Sequence, residues 1–110
     1  MYESIQVDEF YQRWLSARDD GGSLSMIDVR SIEEHQVVHI PGVTLIPLHT
    51  LMARVSEIPD KEDVYLICHL GGRSAQAAEY LARQCGRKNL FNVEGGTLAW
   101  QKAGYPTDKA

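Results

Sequence analysis

Cysteine is scarce: the 110 residues hold two thiols, Cys68 and Cys85. Two cysteines cannot frame a disulfide-stapled fold, and both are expected to stay reduced, as in the cytoplasm. Positive charge is not in excess either. Eleven Lys and Arg face fifteen Asp and Glu, a net charge of -4. That balance excludes a protein that coats nucleic acid, because phosphate needs a cationic surface. No run approaches ~18 consecutive apolar residues, so no membrane span is expected. The opening Met1-Tyr2-Glu3-Ser4-Ile5-Gln6 has neither a basic stretch nor an apolar one, so no secretory signal is expected. Repeats, low-complexity tracts and linker-like stretches are missing too. What is present is ordinary for a globular domain, 44% apolar and 24% charged. A chain of this length is expected to form one domain, 1–110, that buries roughly two thirds of its unfolded surface.

Short apolar runs alternate with helical periodicity. Ser4–Val7 reads as an opening strand. Val7, Phe10, Tyr11, Trp14 and Leu15 then fall on one face of a helix capped by Asp8 and broken at Asp19-Asp20-Gly21-Gly22. Leu24–Val29 is a buried strand. Ser31 and Glu34 are spaced as a capping box at the start of a short helix, and His39-Ile40-Pro41-Gly42 is a turn. Val43–Ile46 is a strand stopped by Pro47, and Leu48, Leu51, Met52 and Val55 mark a helix that ends before Pro59. Val64–Cys68 is the most continuous apolar run and the expected central strand. The helix after it carries Ala78, Leu81, Ala82 and Cys85 inward and stops at Gly86, so Cys85 reads as core. Leu90–Val93 is a fifth strand, and Gly95-Gly96 opens a last helix through Trp100 to Gly104. The fold class is α/β: a five-stranded, mainly parallel sheet with helices on both faces. Ligands of such sheets sit at the carboxyl ends of the strands, where Asp28, Cys68 and Glu94 lie.

The segment Cys68-His69-Leu70-Gly71-Gly72-Arg73-Ser74 carries the chemistry. A thiol sits where backbone N–H groups converge. Gly71 and Gly72 are expected to take positive φ and curl the loop around an anion. The following helix adds its free N–H groups and the positive end of its dipole, and Arg73 adds a charge. All of these favour thiolate, so the Cys68 pKa is expected below that of a free thiol. Cys68 is the candidate nucleophile, and His69, Leu70, Gly71, Gly72, Arg73 and Ser74 form the candidate substrate cradle.

With its loop Cys68-x-x-Gly71-x-Arg73-Ser74, the chain resembles the single-domain form of the rhodanese homology domain. Ile27-Asp28-Val29-Arg30, Glu33, His39-Ile40-Pro41-Gly42, Asn92-Val93-Glu94-Gly95-Gly96, Ala99-Trp100 and Gly104-Tyr105-Pro106 support the likeness in order and spacing. The resemblance implies sulfur transfer without a metal or organic cofactor. Cys68 would take a sulfane sulfur from a small donor, thiosulfate or a persulfide, and pass it to a thiol or to cyanide; a protein sulfur carrier is a further partner. It also implies that Asp28 and Arg30 support the loop structurally. Relatives acting on phosphate or arsenate have five residues between cysteine and arginine. Here there are four, Cys68 to Arg73, a ring suited to one sulfur atom rather than a tetrahedral oxyanion. Thiosulfate enzymes of the family often place extra Lys or Arg beside the cysteine; this chain has His69 and Leu70 there, and Glu33-Glu34 nearby. A persulfide is therefore a donor alongside thiosulfate. The rival readings are a non-catalytic or regulatory binding module on the same fold and a small phosphatase or arsenate reductase.

Other residues leave choices open. His69 is either a proton donor or an exposed loop residue. Arg73 either binds substrate, pairs with Asp28 or a nearby Glu, or does both. His35 and His39 lie four apart, but Pro41-Gly42 follows and no metal-site spacing surrounds them, so no metal is expected. Gly95-Gly96 is expected to let the last helix approach the active-site edge closely.

Overall fold

The computed structural model describes residues 1–109. Five strands, β1 (Glu3–Ile5), β2 (Ser25–Asp28), β3 (Thr44–Leu45), β4 (Val64–Ile67) and β5 (Leu90–Val93), form one sheet in the order β1-β5-β4-β2-β3. Every pairing is parallel. Three α-helices, α1 (Val7–Asp19), α2 (Ile32–Val37) and α3 (Gly72–Gln84), lie in the connections between strands, and α4 (Gly96–Lys102) follows β5.

Strand periodicity divides the core. Val64, Leu66 and Cys68 face one side with Ile27, Val29 and Leu90, packed against Ala77, Ala78 and Leu81 of α3. Tyr65 and Ile67 face the other with Met26 and Val93, packed against Phe10 and Trp14 of α1 and Trp100 of α4. Each of these fully buried large side chains contributes about 1.5–3 kcal/mol by leaving water. The indole N–H groups are satisfied: Trp14 donates to the Pro41 carbonyl at 3.0 Å and Trp100 to that of Pro106 at 2.5 Å.

This division positions the site. The chain leaves β4 for α3 on one face and leaves the adjacent β5 for α4 on the other. Neighbouring strands whose helices diverge open a crevice at their carboxyl ends. Cys68 stands at that point.

Two local expectations are corrected. Asp8 does not cap α1; Gln6 precedes the helix, and Asp8 lies inside its first turn, where its charge suits the dipole and its carboxylate accepts from the Tyr105 hydroxyl at 2.5 Å. The segment Leu48–Glu57 is a 3₁₀ helix rather than an α-helix, broken at Arg54 (φ -121°, ψ 18°). Its tighter winding starts at Pro47, whose carbonyl takes both the amide and the hydroxyl of Thr50 at 2.8 Å. Leu51 is still buried, but Met52, expected on the same face, is 72% exposed.

Candidate active site

The four residues from Cys68 to Gly71 turn the chain from β4 into α3. Gly71 precedes the helix at φ +112°, a conformation that favours glycine. Gly72 does not share it: it is the first helical residue, exposed, with open space where a Cβ would lie. One left-handed residue is enough for the bend. The Cys68 residue is 1% exposed, and its Sγ accepts the Gly71 N–H at 3.0 Å. The Ser74 hydroxyl lies 3.3 Å from the same sulfur.

The last helix aims this loop. The Cys68 carbonyl accepts from the Thr97 amide at 2.8 Å and the Thr97 hydroxyl at 3.1 Å, and the His69 carbonyl accepts from the Leu98 amide at 3.1 Å. In a trans peptide, N–H and C=O point opposite ways. Tying these two carbonyls to α4 therefore turns the His69 and Leu70 N–H groups away from it, toward the inside of the loop. Gly96 makes the approach possible. It adopts φ +59°, and a Cβ there would lie 2.4 Å from the Cys68 oxygen and 2.6 Å from the His69 oxygen. The close approach expected of Gly95-Gly96 is this contact.

Burial pushes the Cys68 thiol up. Hydrogen bonds from the Ser74 hydroxyl and from the Ser74, Gly71 and Leu70 amides outweigh it and hold the thiol below its ordinary value. The arrangement stabilises negative charge on sulfur, either on Sγ or on an atom bound to it.

A buried ion pair stands at the end of β2, the strand beside β4. Arg30, 2% exposed, donates to both carboxylate oxygens of Asp28, itself 1% exposed, at 2.9 and 2.8 Å, and to the Val38 carbonyl at 2.6 Å. His35 Nδ1 lies 3.0 Å from the same carboxylate. His39 stacks on His35 with ring centres 3.8 Å apart, and its Nδ1 lies 2.8 Å from the His35 carbonyl. The histidine pair is thus built into the support of α2.

Arg73 does not reach Asp28. Its guanidinium pairs with both oxygens of Glu34, at 2.7 and 2.8 Å. Glu34 also closes the capping box with Ser31, as its spacing indicates. The Arg73 guanidinium, with help from Ser31, holds the Glu34 carboxyl well below the usual carboxylate range, at about 2 against an ordinary 4.5. Because the folded value is depressed, the pair contributes fully above pH 4.5, and its contribution is lost as pH falls toward 2. With Glu34 35% and Arg73 39% exposed, screening limits the effect to about 1 kcal/mol or less. Glu34→Gln keeps the capping box, which glutamine also closes. Urea midpoints measured against pH should therefore show the wild type losing this much more stability than the variant between pH 4.5 and 2.

The structure brings together Cys68, Gly71, Arg73 and Ser74, with Asp28 and Arg30 behind them. Leu70 projects outward, 61% exposed, and the His69 side chain is half-buried beside the loop. Cys85 is only partly buried, packed on the edge of the α3 core. Sequence reasoning missed Thr97 and Asn92. Asn92 is 3% exposed, bonds Ser74 at 2.5 Å and donates to the Gly71 carbonyl at 3.3 Å. A polar residue at a core-facing position of a buried strand was the available signal.

The family model described as the rhodanese-like domain matches residues 11–103. The chain belongs to the rhodanese-like domain family. It is 43% identical over 96 residues to a Bacillus subtilis protein named "Putative sulfur carrier protein YrkF"; the match covers 87% of this chain but about half, 49%, of that relative. It is 34% identical over 106 residues to a sulfurtransferase of Allochromatium vinosum, covering 96% of this chain and 94% of the relative. The crystal structure of a rhodanese-related protein from Thermoplasma volcanium superposes with a TM-score of 0.85 at 30% identity, over 99% of this chain and 100% of that one. Among the described residues no helix is long and apolar enough to cross a membrane.

Proposed function

We propose that the protein is a sulfurtransferase working through a persulfide on Cys68, in a reducing compartment, the cytoplasm. The observation that carries this reading is the Cys68 sulfur held against the Gly71 amide and the Ser74 hydroxyl at the start of α3. In the first step the thiolate attacks the outer sulfur of the donor. The S–S bond of the donor breaks, and sulfite or a thiolate leaves with the electron pair. In the second step an acceptor thiolate, or cyanide, attacks the terminal sulfur and Cys68 leaves as thiolate. The loop amides hold the negative charge at each stage. The naming of relatives as a sulfur carrier and a sulfurtransferase supports the reading.

The Arg73–Glu34 pair bears on the donor. Arg73 is the loop's cation, and Glu34 already neutralises it. A dianion such as thiosulfate then gains little from it, whereas a persulfide carries its charge on the transferred sulfur itself, where the amides are. A groove of about 320 Å³, lined by Val29, Arg30, Ser31, Pro47, Leu48, His49 and Arg73, opens beside the Arg73 side chain.

Intact mass after incubation with glutathione persulfide or thiosulfate tests the reading. An added sulfur atom, about 32 Da, that a thiol or cyanide removes is expected. No adduct from any sulfur donor, with partner binding retained, would make the domain a binding module instead. Turnover of an aryl phosphate would make it a phosphatase.

A further inference from the structure

Three acceptors compete for one proton beside the reactive sulfur. The Ser74 hydroxyl lies 2.5 Å from Asn92 Oδ1, 3.2 Å from the Gly71 carbonyl and 3.3 Å from Cys68 Sγ. A hydroxyl carries a single hydrogen and can serve only one of them. The Asn92 amide is held in one orientation: its Nδ2 donates to the Gly71 carbonyl at 3.3 Å, and a flip would set two carbonyl oxygens against each other. Oδ1 is therefore fixed as the acceptor facing Ser74, and it is the nearest of the three.

We propose that Asn92 is a positioning residue that draws the Ser74 proton away from Cys68, so that the thiolate forms only as the Ser74 hydroxyl turns from Asn92 to the sulfur. In the neutral state the thiol donates to the Ser74 oxygen and Ser74 donates to Asn92. On ionisation the thiol proton leaves to solvent, Ser74 rotates to donate to the thiolate, and Asn92 Oδ1 loses its partner. Once a second sulfur is attached, the charge moves outward to the loop amides and Ser74 can return to Asn92. Asn92 thus opposes ionisation of the free thiol and favours the sulfur-loaded state.

The proposal rests on Cys68 being the reacting thiol. Its readout, alkylation, needs no sulfur donor, so failure to load sulfur would sink the proposed function without touching it. The other charged and titratable groups around the loop are Arg73 paired with Glu34, Asp28 paired with Arg30 and His35, His69 within the loop and Glu94 after β5. All of them stay constant across the variants.

In a Cys85→Ser background, so that one thiol reports, the pH profile of iodoacetamide alkylation gives the apparent pKa of Cys68. Asn92→Ala should lower it by about one pH unit, a roughly tenfold gain in thiolate below the wild-type value. Asn92→Val, which suits a strand, should act in the same direction and replaces Asn92→Ala if that variant folds poorly. Ser74→Ala should raise the pKa, and adding Asn92→Ala to it should change nothing further. A purely structural Asn92 would loosen the loop and leave the pKa unchanged or raised. That result, or an equal fall in the Ser74→Ala background, overturns the proposal.

Discussion

A Cys68→Ser protein should fold as its parent does and carry no sulfur. Serine at the end of β4 still presents an oxygen to the Gly71 amide, and it removes no methylene from the core, so thermal unfolding should shift by only a few degrees. The chemistry cannot survive. A hydroxyl does not ionise in the range where this thiol does, and oxygen is a poor nucleophile toward sulfur. Transfer from persulfide or thiosulfate to cyanide should fall on the order of 10³-fold or more, the scale seen when a covalent nucleophile is removed. Intact mass should show no adduct. Cys85→Ser is the matched control, since Cys85 packs at the edge of the α3 core away from the loop. If Cys68→Ser retains activity within tenfold of wild type, the sulfur is carried elsewhere and the proposed function fails.

Gly96→Ala should damage both stability and activity. The left-handed backbone at φ +59° costs alanine about 1–2 kcal/mol. The methyl group would also collide with the Cys68 and His69 carbonyls, backbone atoms that cannot swing aside, and overpacking of this kind adds typically 1–3 kcal/mol. Relief requires α4 and the loop to separate, which lengthens the Thr97 and Leu98 hydrogen bonds that orient the amides around the sulfur. A displacement of about 1 Å at such a site can cost around 10²-fold in rate. Gly86→Ala separates the two effects. Gly86 has φ +66° but open space around its Cβ direction, so it should pay the backbone cost alone and keep full activity. Urea midpoints and sulfur-transfer rates of the two variants measure the difference. Equal losses in both would mean that contact between α4 and the loop does not shape the site.

The sequence made the alternation of strands and helices, the central strand and the loop legible because each leaves a local mark. Val64–Cys68 is an unbroken apolar run, Ser31 and Glu34 sit three apart, and Gly71 stands where the chain must turn. The 3₁₀ winding of Leu48–Glu57 left no such mark: its apolar spacing is that of an α-helix, and the outcome turns on hydrogen bonds at Pro47. The partner of Arg73 stayed open for a different reason. Asp28, Glu33 and Glu34 all lie in one short stretch, and only the rotation of α2 decides which carboxylate faces the loop. Asn92 left only the mark of a polar residue in a buried strand, and its partner depends on register. It faces Ser74 only because β5 pairs with β4 so that Leu66 stands opposite Asn92.

The strand order sets a timetable for assembly. β1, made first, finds its place only against β5, where Glu3 stands beside Phe91. An all-parallel sheet closed by such distant pairings forms slowly compared with local hairpins. During synthesis the first strand must therefore wait, unpartnered, until nearly the whole domain has emerged. The surroundings of the sulfur, shared by β4, β5 and the starts of α3 and α4, are then among the last features to take shape, so an unfinished chain would expose its cysteine before it could control it.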